Sequence, residues 1–550
     1  MKKIIFILGL AAVVLGTSCS DVLDLNPADR FSPATVWSTT TTADKYVIGL
    51  YSIFGANTEM RGGDAYASPR LSDAYSDILK STSWNQYNHN FNATLLQETA
   101  FNSNSAGAFE CWSSHYDRIR RENEFLRDAE FGSKFGEDWL KIRIAEVRFC
   151  RAYAYFMLCR VYGGVILRTE VDGPEQNDKA RSTEEECWGF IINELKELAP
   201  DLPLKWDSDN SGRATQKAAY GLLSRVALYA EKWDIAAQAA RDCATAEGNL
   251  DLSENGYAKI FELGINSPEV LFAVEFKSSV IDHAYDAYVR PSGDTKELGK
   301  QVYSGFVPTS ELVDSYEMAG DGGNFSWEKH GKDPYANREP RFYATILYNG
   351  ADWMGRKIES FVGGKDGYKA YENAGAAGTT VTGYYLRKYL IDGDKTWVTS
   401  GSGQDWIVLR YAEVLLNKAE ALAMENWNKN SAEALQALND VRARVGLPAR
   451  ATADKETFLE YVRHERKVEL AGEGFRYWDL RRWRLAEKVI DGQNVHGVKI
   501  SKQSDGSFTY EQVDADGGHK RIFYDRYYRF AIPLSERSNN SLCTNNDGWI

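Results

Sequence analysis

Residues 214–247 read ATQKAAYGLLSRVALYAEKWDIAAQAARDCATAE. Tyr220, Leu223, Ala227 and Leu228 recur at helical spacing and form one apolar face. Glu231-Lys232-Trp233 makes a turn, and Ala236, Ala237 and Ala240 let a second helix approach closely. This is a 34-residue helix–turn–helix, the tetratricopeptide period. A second copy runs over 409–446. Tyr411, Glu413, Leu415 and Ala419 to Ala423 form its first helix. Trp427 lies in the turn, and Ala432, Ala434, Leu435 and Leu438 form the second helix.

Working outward, 39–56 reads as a helix with Tyr46, Leu50 and Ile53 on one face. Residues 107–130 and 137–163 read as two long helices, the second closed by Gly163-Gly164. Further helices are expected over 183–199 and 457–490. Residues 250–405 break the rhythm with many glycines and short apolar runs such as Val270 to Val274. They predict an irregular, loop-rich lobe with few strands. Residues 495–533 read as strands and turns, punctuated by Asp505-Gly506 and Asp516-Gly517-Gly518. Residues 62–105 are polar and aromatic and read as loop. The expected fold is mainly α: a tetratricopeptide-like helical-repeat scaffold with an irregular loop-rich lobe and few short strands.

The 550 residues carry 65 Lys+Arg against 78 Asp+Glu, a formal charge of −13, which argues against a nucleic-acid binder. With 43% hydrophobic and 26% charged residues the chain is a folded one. The aromatic share is high: 15 Trp, 31 Tyr and 24 Phe. Seven cysteines include no C-x-x-C pair, and Cys150, Cys159 and Cys243 read as small buried hydrophobes.

Lys2, Lys3 and the apolar run Ile4 to Gly16 form a signal segment that ends in Leu15-Gly16-Thr17-Ser18-Cys19. Small residues before a cysteine predict cleavage there and lipidation of Cys19, although Leu15 stands four residues before it rather than three. Residues 20–35 then read as an extended tether, and no later apolar run is long enough to span a bilayer.

Catalytic motifs are weak. His464-Glu465 has Val468 where a second zinc-binding histidine would stand. Asp207-x-Asp209-x-Ser211-Gly212 copies half a calcium loop but ends on Ala218, so it reads as a turn before the next helix. G-x-S-x-G, P-loop and G-x-G-x-x-G patterns do not occur, and nothing singles out an acid pair for glycoside hydrolysis. The charged stretch 463–482 reads as an ion-pair network joining helices, with local Glu473–Arg476 and Arg476–Asp479 pairs available.

ERKVELAGEGFRYWDLRRW (465–483) resembles the SusD/RagB family of nutrient-binding outer-membrane lipoproteins. CSDVLDLNP (19–27), AEVRFCRAYAYF (145–156) with YGG (162–164), GRAT (212–215), RYAEVL (410–415), AIPLSE (531–536) and NNDGW (545–549) are similar to that family's strings in order; Asp547 stands where proline is usual. The resemblance implies four tetratricopeptide-like helix pairs cradling the lobe. It also implies passive glycan binding at the cell exterior without enzyme activity, and a lipid anchor in the outer membrane; no cofactor is expected, no metal ligand is singled out, and metal content stays open. The partner it implies is a TonB-dependent SusC-type transporter, on which the lipoprotein sits as a hinged lid. The corresponding plan is a signal peptide over 1–18, a lipidated tether over 19–36 and a single domain over 37–550. In that domain 37–249 and 405–490 are scaffold, 250–404 is the ligand-binding lobe and 491–550 is a terminal strand-and-loop segment.

Sugars are gripped by flat aromatic faces and by planar polar groups on their hydroxyls, usually weakly, because hydroxyl desolvation offsets contact. The family places its site on the irregular lobe and on the loop between the first helices. Here those places hold Trp84, Asn85, Tyr87 and Asn88, then Tyr303, Phe325, Trp327 and Trp353, with Asp73 and Asp77 as polar neighbours. Trp139, Trp233 and Trp478 sit on helices and read as core. The alternatives are a peptide- or glycopeptide-binding lipoprotein of the same architecture and a glycoside hydrolase.

Overall fold

The computed structural model describes residues 32–56, 71–82, 101–173, 178–320, 322–370 and 379–549. The signal segment, Cys19 and the loop candidates Trp84, Asn85, Tyr87 and Asn88 lie outside the described residues.

Helices dominate. Thr40–Leu50, Trp112–Arg127, Glu137–Tyr162, Glu184–Leu198, Gln216–Tyr229, Trp233–Thr245, Tyr411–Arg444 and Lys455–Glu469 form the scaffold. Local chemistry starts several of them. Thr183 and Glu186 close a capping box, the Thr215 hydroxyl accepts from the Ala218 N–H, and the Asp454 carboxylate accepts from the Thr457 N–H. Both repeat pairs form, and they pack on each other: Trp233–Thr245 lies against both Gln216–Tyr229 and Tyr411–Arg444. The second pair is one unbroken run except at Asn426, whose φ −164° and ψ 94° turn the chain beside Trp427. Ala236, Ala237 and Ala240 are buried, as close helix approach requires.

Strands are short, and every sheet among the described residues has two strands. Val270–Val274 pairs antiparallel with Trp406–Arg410 and thereby ties the lobe to the scaffold. The repeat expected over 409–446 has its first helix from Tyr411; both faces of the preceding Trp406–Arg410 segment are buried, and the ladder holds the chain extended up to that point. His496–Lys502 and Phe508–Asp514 form the terminal hairpin, with Gly506 at φ 88° in its turn. The polar stretch expected as loop contributes a 3-10 turn, Ser72–Tyr75, and a strand, Leu79–Ser81, paired with Phe306–Pro308. The expected tether ends earlier than read: Pro33–Val36 is already helical, with Ser32 as its cap and Pro33 at the first turn.

The charged stretch is an ion-pair network joining elements remote in sequence. Glu469 accepts from Arg341 Nη1 at 2.9 Å and Arg410 Nη1 at 2.7 Å, and also pairs with Arg444. Glu465 joins Arg341 to Arg442, and Glu473 joins Arg410 to Lys388. The Glu473–Arg476 and Arg476–Asp479 pairs offered by spacing give way to others: Arg476 pairs with Asp77, and Asp479 with Arg466 and, locally, with Arg482. Buried charge demands several partners at once, and one helix face cannot supply them. His464 lies 3.4 Å from Glu317, inside the same network, and Asp207 caps a turn by accepting from the Asp209 and Asn210 N–H groups. Cys150, Cys159 and Cys243 are free and buried. Of the helix tryptophans, Trp478 is buried, whereas Trp139 and Trp233 are half-buried.

Candidate functional site

A ring-bearing ledge forms where the lobe meets the terminal hairpin. Ser326 caps the short helix Trp327–His330 by accepting from the Lys329 N–H, which sets the Trp327 backbone. The half-buried indole then donates its N–H to Asp314 Oδ2 at 3.0 Å. Tyr510 of the hairpin lies 5.9 Å from the Trp327 ring at 43°, and Phe325 meets it edge-on at 5.4 Å and 84°. Phe325 itself is floor rather than face. It is 8% exposed, and the Arg338 guanidinium sits 4.1 Å over its ring.

Beneath the ledge lie Asp314 Oδ1 and Arg338 Nε, both buried and without a hydrogen-bond partner among the described residues, beside the buried Tyr335 and Tyr384 hydroxyls. Burial pushes the Asp314 carboxyl up to about 6, against the pull of the Trp327 N–H and Arg338. A fixed indole face, held from below by Asp314 and flanked by Tyr510, suits the C–H faces of a sugar.

Tyr303 stands apart from this ledge, its ring 4.8 Å from Tyr288. The Thr82 N–H donates to the Gly305 carbonyl at 3.0 Å, which extends the pairing of the Leu79–Ser81 strand with Phe306–Pro308.

Three sequence candidates have structural duties instead. Asp73 is buried and accepts from the N–H groups of Gly472 at 2.9 Å, Gly474 at 3.1 Å and Arg476 at 2.9 Å. It clamps the loop between two helices, and its burial keeps it from solvent. Burial alone would raise the Asp77 carboxyl, but Arg476 and Lys467 outweigh it and hold it well below the usual range. Trp353 is 1% exposed, with its indole N–H on Asp294 Oδ2 at 3.0 Å, so neither ring face is open. The family resemblance implies a site in these stretches, but burial is a property of the whole packing. Asp314 and Tyr510 escaped sequence reading because they are 196 residues apart and meet Trp327 only in the fold.

A helical-repeat scaffold thus holds an irregular lobe with an aromatic ledge. Residues 268–549 match the SusD family model, and residues 21–228 match a model described as starch-binding associating with outer membrane. The chain belongs to the SusD family. A SusD-like protein from Bacteroides ovatus is 25% identical over 547 residues, covering 94% of this chain and 90% of that one. A solved SusD-like protein from Bacteroides fragilis NCTC 9343 superposes with a TM-score of 0.81 at 27% identity, covering 94% of this chain and 99% of that one. A second from the same strain, a SusD-like carbohydrate binding protein, shares the fold with a TM-score of 0.76 at 24% identity, covering 92% and 99%. Among the described residues no helix is long and apolar enough to cross a membrane.

Proposed function

We propose that this protein binds an oligo- or polysaccharide at the cell exterior and hands it to a TonB-dependent SusC-type transporter, without transforming it. The observation that carries this reading is the Trp327 ring, half-exposed yet fixed by its N–H bond to Asp314 and flanked by Tyr510. A pre-set ring face binds without an ordering cost. The starch-binding, outer-membrane description of the model matched by residues 21–228 supports the same cargo and location. Lipidation of Cys19 after loss of residues 1–18 supplies the anchor, and residues 37–550 act as one unit on it. In this reading Trp327 is the principal face and Phe325 backs it, with Tyr303, Trp84, Asn85, Tyr87 and Asn88 as further candidate contacts to the cargo.

Isothermal titration of the purified protein against glycan and peptide panels tests the proposal. Glycan heats that fall about tenfold in affinity in Trp327→Ala, with an unchanged melting temperature, support it. Heat with peptides alone would replace the glycan by a peptide cargo, and release of product from any oligosaccharide on long incubation would overturn the non-catalytic reading.

A further inference from the structure

The scaffold also holds a cavity that shares no lining residue with the aromatic ledge. It has a volume of about 120 Å³ and lies where Glu137–Tyr162, Arg476–Arg482 and the segment around Arg529 converge, with Arg160, Trp478, Arg481 and Arg529 in its wall. That is room for about four waters at liquid density, or for one tetrahedral oxyanion.

Its wall is positively charged and incompletely paired. Arg481 is 4% exposed; one of its nitrogens, Nη2, donates to the Tyr528 carbonyl at 2.8 Å. Its Nε and Nη1 are buried without a partner among the described residues, as are Arg160 Nε and Trp478 Nε1. The two guanidiniums lie 4.1 Å (Arg160) and 4.7 Å (Arg481) from the Trp478 ring centroid.

The neighbouring carboxylates are already engaged. Glu184 takes Arg529 through two bonds, at 2.8 and 2.5 Å, and Arg482 is held by Glu420 and Asp479. Glu231 also lines the cavity, but it is exposed at the rim, as is Arg484, which stands 3.6 Å from Asp525. Burial pushes the Arg481 guanidinium down to about 10, and Arg529 and Arg160 add to that push against Tyr477 and Tyr229. A buried cation without a counter-charge is costly, and a multivalent acceptor removes that cost. In a chain of net charge −13, such a wall focuses positive potential locally.

We infer that this cavity is an oxyanion site that holds one sulfate or phosphate group between Arg160 and Arg481, with the Trp478 N–H as a third donor. The group arrives either as the free ion or as a monoester on a sugar; the donors recognise the same tetrahedral oxygens in both.

Equilibrium dialysis of the purified protein with radiolabelled sulfate, at ionic strength held constant with sodium chloride, tests this. Saturable binding of one sulfate per chain is expected, displaced by phosphate. Arg160→Gln and Arg481→Gln should each weaken it about tenfold or more, the loss of charge-assisted bonds, while Arg484→Gln at the rim leaves it within about threefold. Arg160 is half-buried, so its variant keeps the test open should Arg481→Gln fail to fold. Competition by a sugar sulfate monoester, but not by the unsulfated sugar, identifies the ester as the source; competition by inorganic ions alone identifies the free anion. Retention of label no greater than in protein-free dialysis, or wild-type binding in Arg160→Gln, overturns the site.

Discussion

Glu122 offers a sharp test of the packing, because its charge state decides a large share of stability at neutral pH. It sits on Trp112–Arg127 with its side chain buried, and neither carboxylate oxygen has a hydrogen-bond partner among the described residues. Burial pushes the carboxyl up to about 8, although Arg151 and Arg118 pull it down. The folded chain therefore keeps a proton on Glu122 at neutral pH, whereas the unfolded chain, with an ordinary value near 4.5, releases it. The folded state binds the proton more tightly, so the contribution of this group is fully present below pH 4.5 and is lost as pH rises toward 8. At about 1.4 kcal/mol per pH unit, the loss reaches roughly 3 kcal/mol at pH 7 and roughly 4 kcal/mol at pH 8.

Glu122→Gln mimics the neutral acid and removes this dependence. Urea unfolding of both proteins at pH 5, 6, 7 and 8 should show the variant gaining on wild type with each step, from near equality at the acid end to about 3 kcal/mol at pH 7. A difference that stays flat with pH would mean that Glu122 is ionised in the native state, and the reasoning from its burial would fail.

Other substitutions separate frame from ledge. Glu469→Gln leaves Arg341, Arg410 and Arg444 short of a shared counter-charge and should cost about 3–5 kcal/mol, read as a lowered urea midpoint. Trp353→Ala should cost about 3–5 kcal/mol of stability and leave the glycan affinity of the folded fraction unchanged, the reverse of Trp327→Ala; titration calorimetry beside thermal unfolding distinguishes them. Asp73→Asn weakens the clamp on three N–H groups and should cost about 1–3 kcal/mol, with faster amide exchange at Gly472 and Gly474 as its local signature.

Much of the frame is legible in the chain because helices are written locally. The Ala236, Ala237 and Ala240 face, the Thr183 and Thr215 caps and the Gly163-Gly164 stop lie within a few residues of what they control. Gly163 shows the limit of that legibility. Its φ of 75° ends the helix, as a local reading expects, but a Cβ there would also stand 2.8 Å from Arg529 Cδ, a demand set more than 360 residues away. The Asp505-Gly506 turn likewise announced the hairpin, but not that Tyr510 on it would lie beside Trp327.

The amino-acid order by itself determined the helical-repeat class, the irregular lobe between its halves and the presence of an ion-pair network in 463–482, because periodicity, caps and uncompensated charge act over a turn or two of chain. Tertiary structure alone decided which carboxylate serves which arginine, that Asp73 and Trp353 are sealed inside while Trp327 keeps an open side, and that Arg160 and Arg481 share one cavity. Burial and electrostatic partnership depend on every segment that packs against a residue, and those segments come from anywhere along the 550 positions.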